Sequence, residues 1–151
     1  MCPDPYAAKS LSTKYPCADK NIVNGKVCVI LDARAGNRGL ELVQYPSRAV
    51  LKNEIHEIIL TAEPEAGPGK VVNDISYLGY FEVLESGVIW VDDKVMVGGR
   101  EIGTLAGYDM THFPNHMNII IKITGSLYTG LEAGFKVGDP ISFIFPGRPK
   151  N

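Results

Sequence analysis

The feature that most limits what this chain can become is its punctuation: from Lys26 onward, short apolar runs alternate with Gly, Pro, Asn and Asp. Runs of roughly four to eight β-branched, aliphatic and aromatic residues, bounded by turn formers, read as strands, and many of them in one small chain read as a sandwich or barrel. The runs are Val27 to Ala33, Leu40 to Tyr45, Val71 to Tyr77, Tyr80 to Leu84, Val88 to Val91, Lys94 to Val97, Glu101 to Leu105, Asn118 to Ile123 and Ile141 to Phe145. Asp92-Asp93 and Gly98-Gly99 are the predicted hairpin turns, and the glycine pair takes positive φ without a Cβ clash. Gly103 and Gly107, inside an apolar run, predict bulges or a close backbone approach. Bulges bend a sheet toward closure, which removes its exposed edges.

Two segments have a helical alternative. Ser47 to Ala62 places Val50, Leu51, Ile55, Ile58, Ile59 and Ala62 near helical spacing, with Ser47 as a cap. Ile55 to Thr61 is also rich in β-branched residues and suits a buried strand, so helix and strand both stay open there. Leu127 to Gly134 reads as one or two helical turns stopped at Gly134. The expected fold is mainly β, a single small closed or partly closed β-barrel with one or two short helices. An extended N-terminal arm over residues 1–24 precedes a barrel domain at 25–146, and a loose tail fills 147–151.

Composition excludes several classes. With 151 residues the chain closes one core, and 45% apolar with 21% charged residues is globular rather than disordered. A net charge of −2 with scattered lysines and arginines offers no footprint for nucleic acid. No apolar run approaches the roughly 20 residues of a membrane helix, and Met-Cys-Pro-Asp-Pro does not open like a signal peptide. Three cysteines, Cys2, Cys17 and Cys28, share no metal spacing and make no disulfide framework, which points to a reducing cytoplasm. Cys28, in an aliphatic run without an adjacent base, reads as a small buried hydrophobe.

The chemistry concentrates in Asp109-Met110-Thr111-His112-Phe113-Pro114-Asn115-His116-Met117-Asn118. Two of the chain's three histidines lie here, and Asp109, His112 and His116 are three and four residues apart. Helical spacing would put all three on one face, but Pro114 opposes a continuous helix and favours a stiff loop between strands. Three chemistries are open to it. Asp109, His112 and His116 could bind a divalent zinc, manganese or iron ion. One histidine could act as general acid or base with Asp109 orienting it. Thr111, Asn115 and Asn118 could help the histidines hold an anionic ligand. The structural alternative is that Asp109 and Asn115 cap turns while the histidines satisfy buried carbonyls. His56, beside aliphatics, reads as structural unless the fold brings it to this loop.

Arg34 and Arg38 flank a glycine turn and offer planar forks for a carboxylate or phosphate, or else simply face solvent. Asp74, Tyr77 and Tyr80 lie where alternation sends Asp74 either to solvent or into a pocket with the histidines. Gly67-Pro68-Gly69-Lys70 lacks the Walker spacing and the following hydroxyl residue.

Thr111-His112-Phe113-Pro114, with Leu131-Glu132-Ala133-Gly134 through Gly138-Asp139-Pro140-Ile141-Ser142-Phe143, resembles the end of the archaeal CTP-dependent riboflavin kinase barrel. Lys70-Val71-Val72 to Tyr80-Phe81-Glu82-Val83 is similar to its opening strands. The resemblance implies a cradle-like six-stranded barrel. The Pro-Gly-Thr-Leu-Asn motif that holds metal and nucleotide in that family is absent, so no catalytic residue carries over. Taken together, the expected function is catalysis on a polar, anionic small metabolite at the histidine loop by a homo-oligomer. A binding module or accessory subunit using the same pocket is the alternative.

Overall fold

A computed structural model describes residues 16–148. Residues 1–15 of the expected arm and 149–151 of the expected tail lie outside the described residues. The strands are β1 (Val23–Ala35), β2 (Leu40–Glu41), β3 (Ser47–Val50), β4 (Ile55–Thr61), β5 (Val71–Val72) and β6 (Ile75–Val83), followed by β7 (Gly87–Trp90), β8 (Lys94–Val97), β9 (Arg100–Asp109), β10 (Asn118–Lys122) and β11 (Pro140–Ile144). One short helix, α1 (Gly130–Ala133), precedes β11. The protein is mainly β. No helix among the described residues is long and apolar enough to cross a membrane.

Seven strands form one large sheet in the order β1-β11-β8-β9-β10-β4-β6, and β6 pairs back onto β1, so the hydrogen bonds run in a ring. Every pair is antiparallel except β10 with β4. Two small ribbons, β2-β5 and β3-β7, stand outside this ring order.

The two sides of the wall are both apolar where β4 and β10 run. Ile58, Leu60, Ile119 and Ile121 join the larger core with Phe81, Tyr108 and Phe143. Ile59 and Ile120 point the other way, into a second cluster with Leu40, Leu42 and Val72 beneath the β2-β5 ribbon. This double burial explains why Ile58-Ile59-Leu60 and Ile119-Ile120-Ile121 are unbroken aliphatic stretches rather than an alternation. It also settles Ser47 to Ala62: the segment is two strands, β3 and β4, joined through Asn53 with φ 77°. The apparent helical spacing was the accident of a strand buried on both faces.

Gly98-Gly99 is a two-residue hairpin turn between β8 and β9, with φ of 58° and 81°, as a turn of mirror-image type requires. Asp92-Asp93 is a turn with Asp92 at φ 78°, but no hairpin. Its flanking strands part company: β7 pairs β3, whereas β8 pairs β11 and β9. Register slips lie beside Gly103 and Gly107, and a Cβ on Gly103 would stand 2.3 Å from the Lys122 carbonyl oxygen. Helix α1 opens with a capping box between Thr129 and Glu132, and Gly134 closes it at φ 78°. Regular structure starts at Val23, three residues before the expected Lys26, because Val23 and Asn24 already pair with β11.

Candidate functional site

Strand register assembles the site. Tyr80 of β6 faces Glu57 of β4, Glu57 faces Asn118 of β10, and Asn118 faces Asp109 of β9. Residues paired across neighbouring strands send their side chains to the same face. Four strands thus lay a polar row, Tyr80-Glu57-Asn118-Asp109, along the wall opposite the main core. Along β4 and β10 the next same-face residues are Ile59 and Ile120 of the second cluster.

Residues 110–117 form the turn between β9 and β10 and roof that row. The expected proline-stiffened loop between strands is what forms. Its backbone is held by Phe113 N–H to Met110 O at 3.1 Å and Asn115 N–H to His112 O at 2.9 Å. Thr111 donates to Asp109 twice, through its amide at 3.2 Å and its hydroxyl at 3.0 Å. The Asn118 amide donates to Asp109 Oδ2 at 2.9 Å, leaving Asn118 Oδ1 buried without a partner among the described residues. Asp109 therefore caps its own turn and orients neither imidazole.

His116 is buried and engaged on both sides. Its Nδ1 accepts from the Asn115 side-chain amide at 2.9 Å, and its Nε2–H reaches Glu57 Oε1 at 3.1 Å. Tyr80 packs edge-on against it, with ring centres 5.1 Å apart. Burial, the charge of Glu57 and a hydrogen bond to Glu57 raise the Tyr80 hydroxyl above its ordinary pKa. His112 also lies against His116, with 5.2 Å between ring centres. It is exposed, and among the described residues its imidazole makes no hydrogen bond or ion pair.

His56 does come to the loop. Its Nδ1 accepts the Met117 amide at 3.1 Å, which assigns its proton to Nε2, 3.2 Å from Glu54 Oε1. Burial lowers its pKa, Glu54 partly opposes this, and Arg48 and His116 lower it further. For Glu54, burial pulls upward but is outweighed by the Leu51 amide and His56, so its carboxyl falls below the usual value. The guanidinium of Arg48 sits 5.6 Å from the Phe113 ring centre, at the loop's margin.

Other expectations are corrected. Among the described residues no group of three or more His, Cys, Asp or Glu side chains could hold a metal ion. Asp109 is turned to Thr111 and Asn118, and His116 to Asn115 and Glu57, so Asp109, His112 and His116 do not converge as ligands for zinc, manganese or iron. Arg34 is bound to Glu132 and the Leu127 carbonyl beside α1, away from the loop. Arg38 lies in the β1–β2 turn, where its amide bonds Asn73 O at 3.1 Å, and it does not join the loop either. Asp74 is exposed.

Glu57 and Glu54 were missed as site residues, and Tyr80 was noted without a role. Their signal is faint: a carboxylate flanking His56 inside an aliphatic strand, and an aromatic in a β run.

A mainly β wall carrying a polar row, buried at Glu57, Asn118 and Asp109 and half-buried at Tyr80, beneath a histidine loop defines the class of protein. The chain belongs to a family of unknown function (DUF6917), which matches residues 17–144 and so takes in the whole row and its roof. No curated protein and no solved structure gives a match.

Proposed function

We propose that the protein is a small β-barrel acting on a polar, anionic small metabolite at the outer face of the histidine loop. His112 moves the proton and Arg48 meets the negative charge. The observation that carries this reading is the contrast between two touching imidazoles. His116 has both nitrogens engaged, so taking a ligand's proton would cost it a bond; it is a positioning residue. His112 is exposed, rests on that fixed ring, and keeps its nitrogens for a ligand. Imidazole is the side chain suited to proton transfer near neutral pH. The same reading takes the ring of strands as a closed barrel in a homo-oligomer of the reducing cytoplasm.

A binding module without catalysis is the second reading. It is favoured by Asp109, whose carboxylate serves Thr111 and Asn118 rather than orienting a base. One experiment separates the two: purified protein is incubated with a panel of carboxylated and phosphorylated metabolites, followed by NMR. Conversion of an anionic member, reduced about a hundredfold or more by His112→Asn with an unchanged melting temperature, is the expected outcome. Binding without conversion overturns the catalytic role and leaves the module.

A further inference from the structure

We propose a second ligand site, for a small organic anion, in the cleft at the far end of β9 and β10. Register builds it as it builds the first. Lys94 of β8 faces Thr104 of β9, and Thr104 faces Lys122 of β10. Neighbouring strands are about 4.8 Å apart, so two lysine stems rooted roughly 10 Å from each other bracket one threonine hydroxyl on the same face. All three side chains line a cleft of about 760 Å³, together with Ile102, Ile123 and Pro146. That volume lies within the roughly 300–1,000 Å³ of small-molecule sites, and an apolar floor with a few converging polar groups is their usual make-up.

The two cations are underused. Lys122 Nζ lies 3.5 Å from the Pro64 carbonyl and 3.4 Å from that of Ala66, contacts that orient an ammonium without neutralising it. Lys94 Nζ stands 3.4 Å from Glu101, but both side chains are about half exposed, and such a pair yields readily to a competing anion. Asp92 and Glu101 also line the cleft. They disfavour a highly charged ligand such as a nucleoside triphosphate and select a single carboxylate or phosphate monoester. Ile102, Ile123 and Pro146 then receive an apolar body. Lys122 is four residues along β10 from Asn118, about 13 Å at 3.3 Å per residue, so this site does not depend on the histidine loop.

The test is NMR titration of the ¹⁵N-labelled full chain with benzoate, phenyl phosphate and benzamide. The expected result is saturable shifts at Thr104, Lys122 and Thr124 with either anion and not with the neutral amide; the stronger of the two anions names the head group. Lys122→Gln weakens binding about tenfold, the loss of one charge-assisted hydrogen bond. Lys94→Gln, on a separate strand, weakens it too, while His112→Asn leaves it unchanged. Equal shifts with benzamide overturn the proposal, as do undiminished affinity in both lysine variants or no saturable shift at millimolar probe.

Discussion

At the scale of single residues, His56 is where pH enters. Its imidazole is buried, accepts one backbone amide and faces Glu54, Arg48 and His116. Because its pKa lies below the ordinary 6.5, the unfolded chain binds more protons than the folded one just below that value. The stability His56 contributes is therefore present above about pH 6.5 and is lost as pH falls through the folded pKa. Glu54, also depressed, contributes above its usual 4.5 and loses that contribution only on further acidification. Urea unfolding between pH 8 and pH 5 reads the histidine window clear of Glu54, and comparison with a His56 variant separates it from Asp93, whose raised carboxyl acts in the opposite sense. His56→Asn keeps an acceptor near Nδ1 for the Met117 amide and cannot titrate. It should cost about 1 kcal/mol at pH 8 and flatten the slope between pH 6.5 and 5. An unchanged slope in that variant assigns the acid sensitivity to another group. The local pattern around Asp109 to Asn118 marked the candidate loop, since two histidines, a proline and two asparagines between strands are visible without a fold. It did not show that Asp109 serves Thr111 and Asn118, because which partner a side chain finds depends on what stands across the sheet.

At the scale of elements, the β9–β10 pair does most of the positioning. Gly103 lets the Lys122 carbonyl come within van der Waals range, and the adjoining slip re-aims the rest of β9. Since the obstructing atom is backbone, Gly103→Ala cannot be relieved by a side-chain rotation. It should destabilise the protein by about 2 kcal/mol or more, seen as a lowered urea midpoint, and should broaden the Lys122 and Ile123 amide signals. A neutral substitution would mean that the strands separate there at no cost. The Gly98-Gly99 turn and the Gly134 stop were legible beforehand, because each answers a local backbone demand for positive φ. Gly103 and Gly107 showed only as glycines inside an apolar run, and what presses on them, the Lys122 carbonyl and the Leu42 side chain, comes from distant parts of the chain. Residues 47–62 were ambiguous, and local pattern could not have resolved them. Ile55 to Thr61 is apolar on both faces only because β10 runs parallel beside it and the β2-β5 ribbon covers its outer side. The same parallel pairing brings Glu57 to Asn118 across 61 residues of chain, so the row under the loop was hidden for the reason that hid the strand.

At the scale of the whole molecule, the segment before β1 is tied to the ring by a buried charge pair. Lys20 Nζ lies 2.8 Å from Asp93 Oδ2, with both side chains almost wholly out of solvent. The same oxygen accepts the Trp90 amide at 2.9 Å, and the turn it closes is pinned to β9 by Asp92 N–H to Leu105 O and Leu105 N–H to Asp93 O. The pair therefore joins the segment at Lys20, the β7–β8 turn and the ring. Burial raises the Asp93 carboxyl above its ordinary value, and Lys20 and the Trp90 amide pull it back. Lys20→Met leaves a carboxylate buried without its cation, which should cost about 3 kcal/mol at pH 7. With the pKa raised, folded Asp93 holds its proton at a pH where the unfolded chain has released it, so stability withheld at neutral pH returns as pH falls. The Lys20→Met penalty should accordingly be smaller at pH 5 than at pH 7, and the double variant Lys20→Met, Asp93→Asn should recover most of it at pH 7. A penalty equal at both pH values, and undiminished in the double variant, would place the cost in lost packing of the lysine stem. Of the two, only the charge explanation makes the segment around Lys20 pH-responsive in step with the turn that carries Asp92 into the cleft.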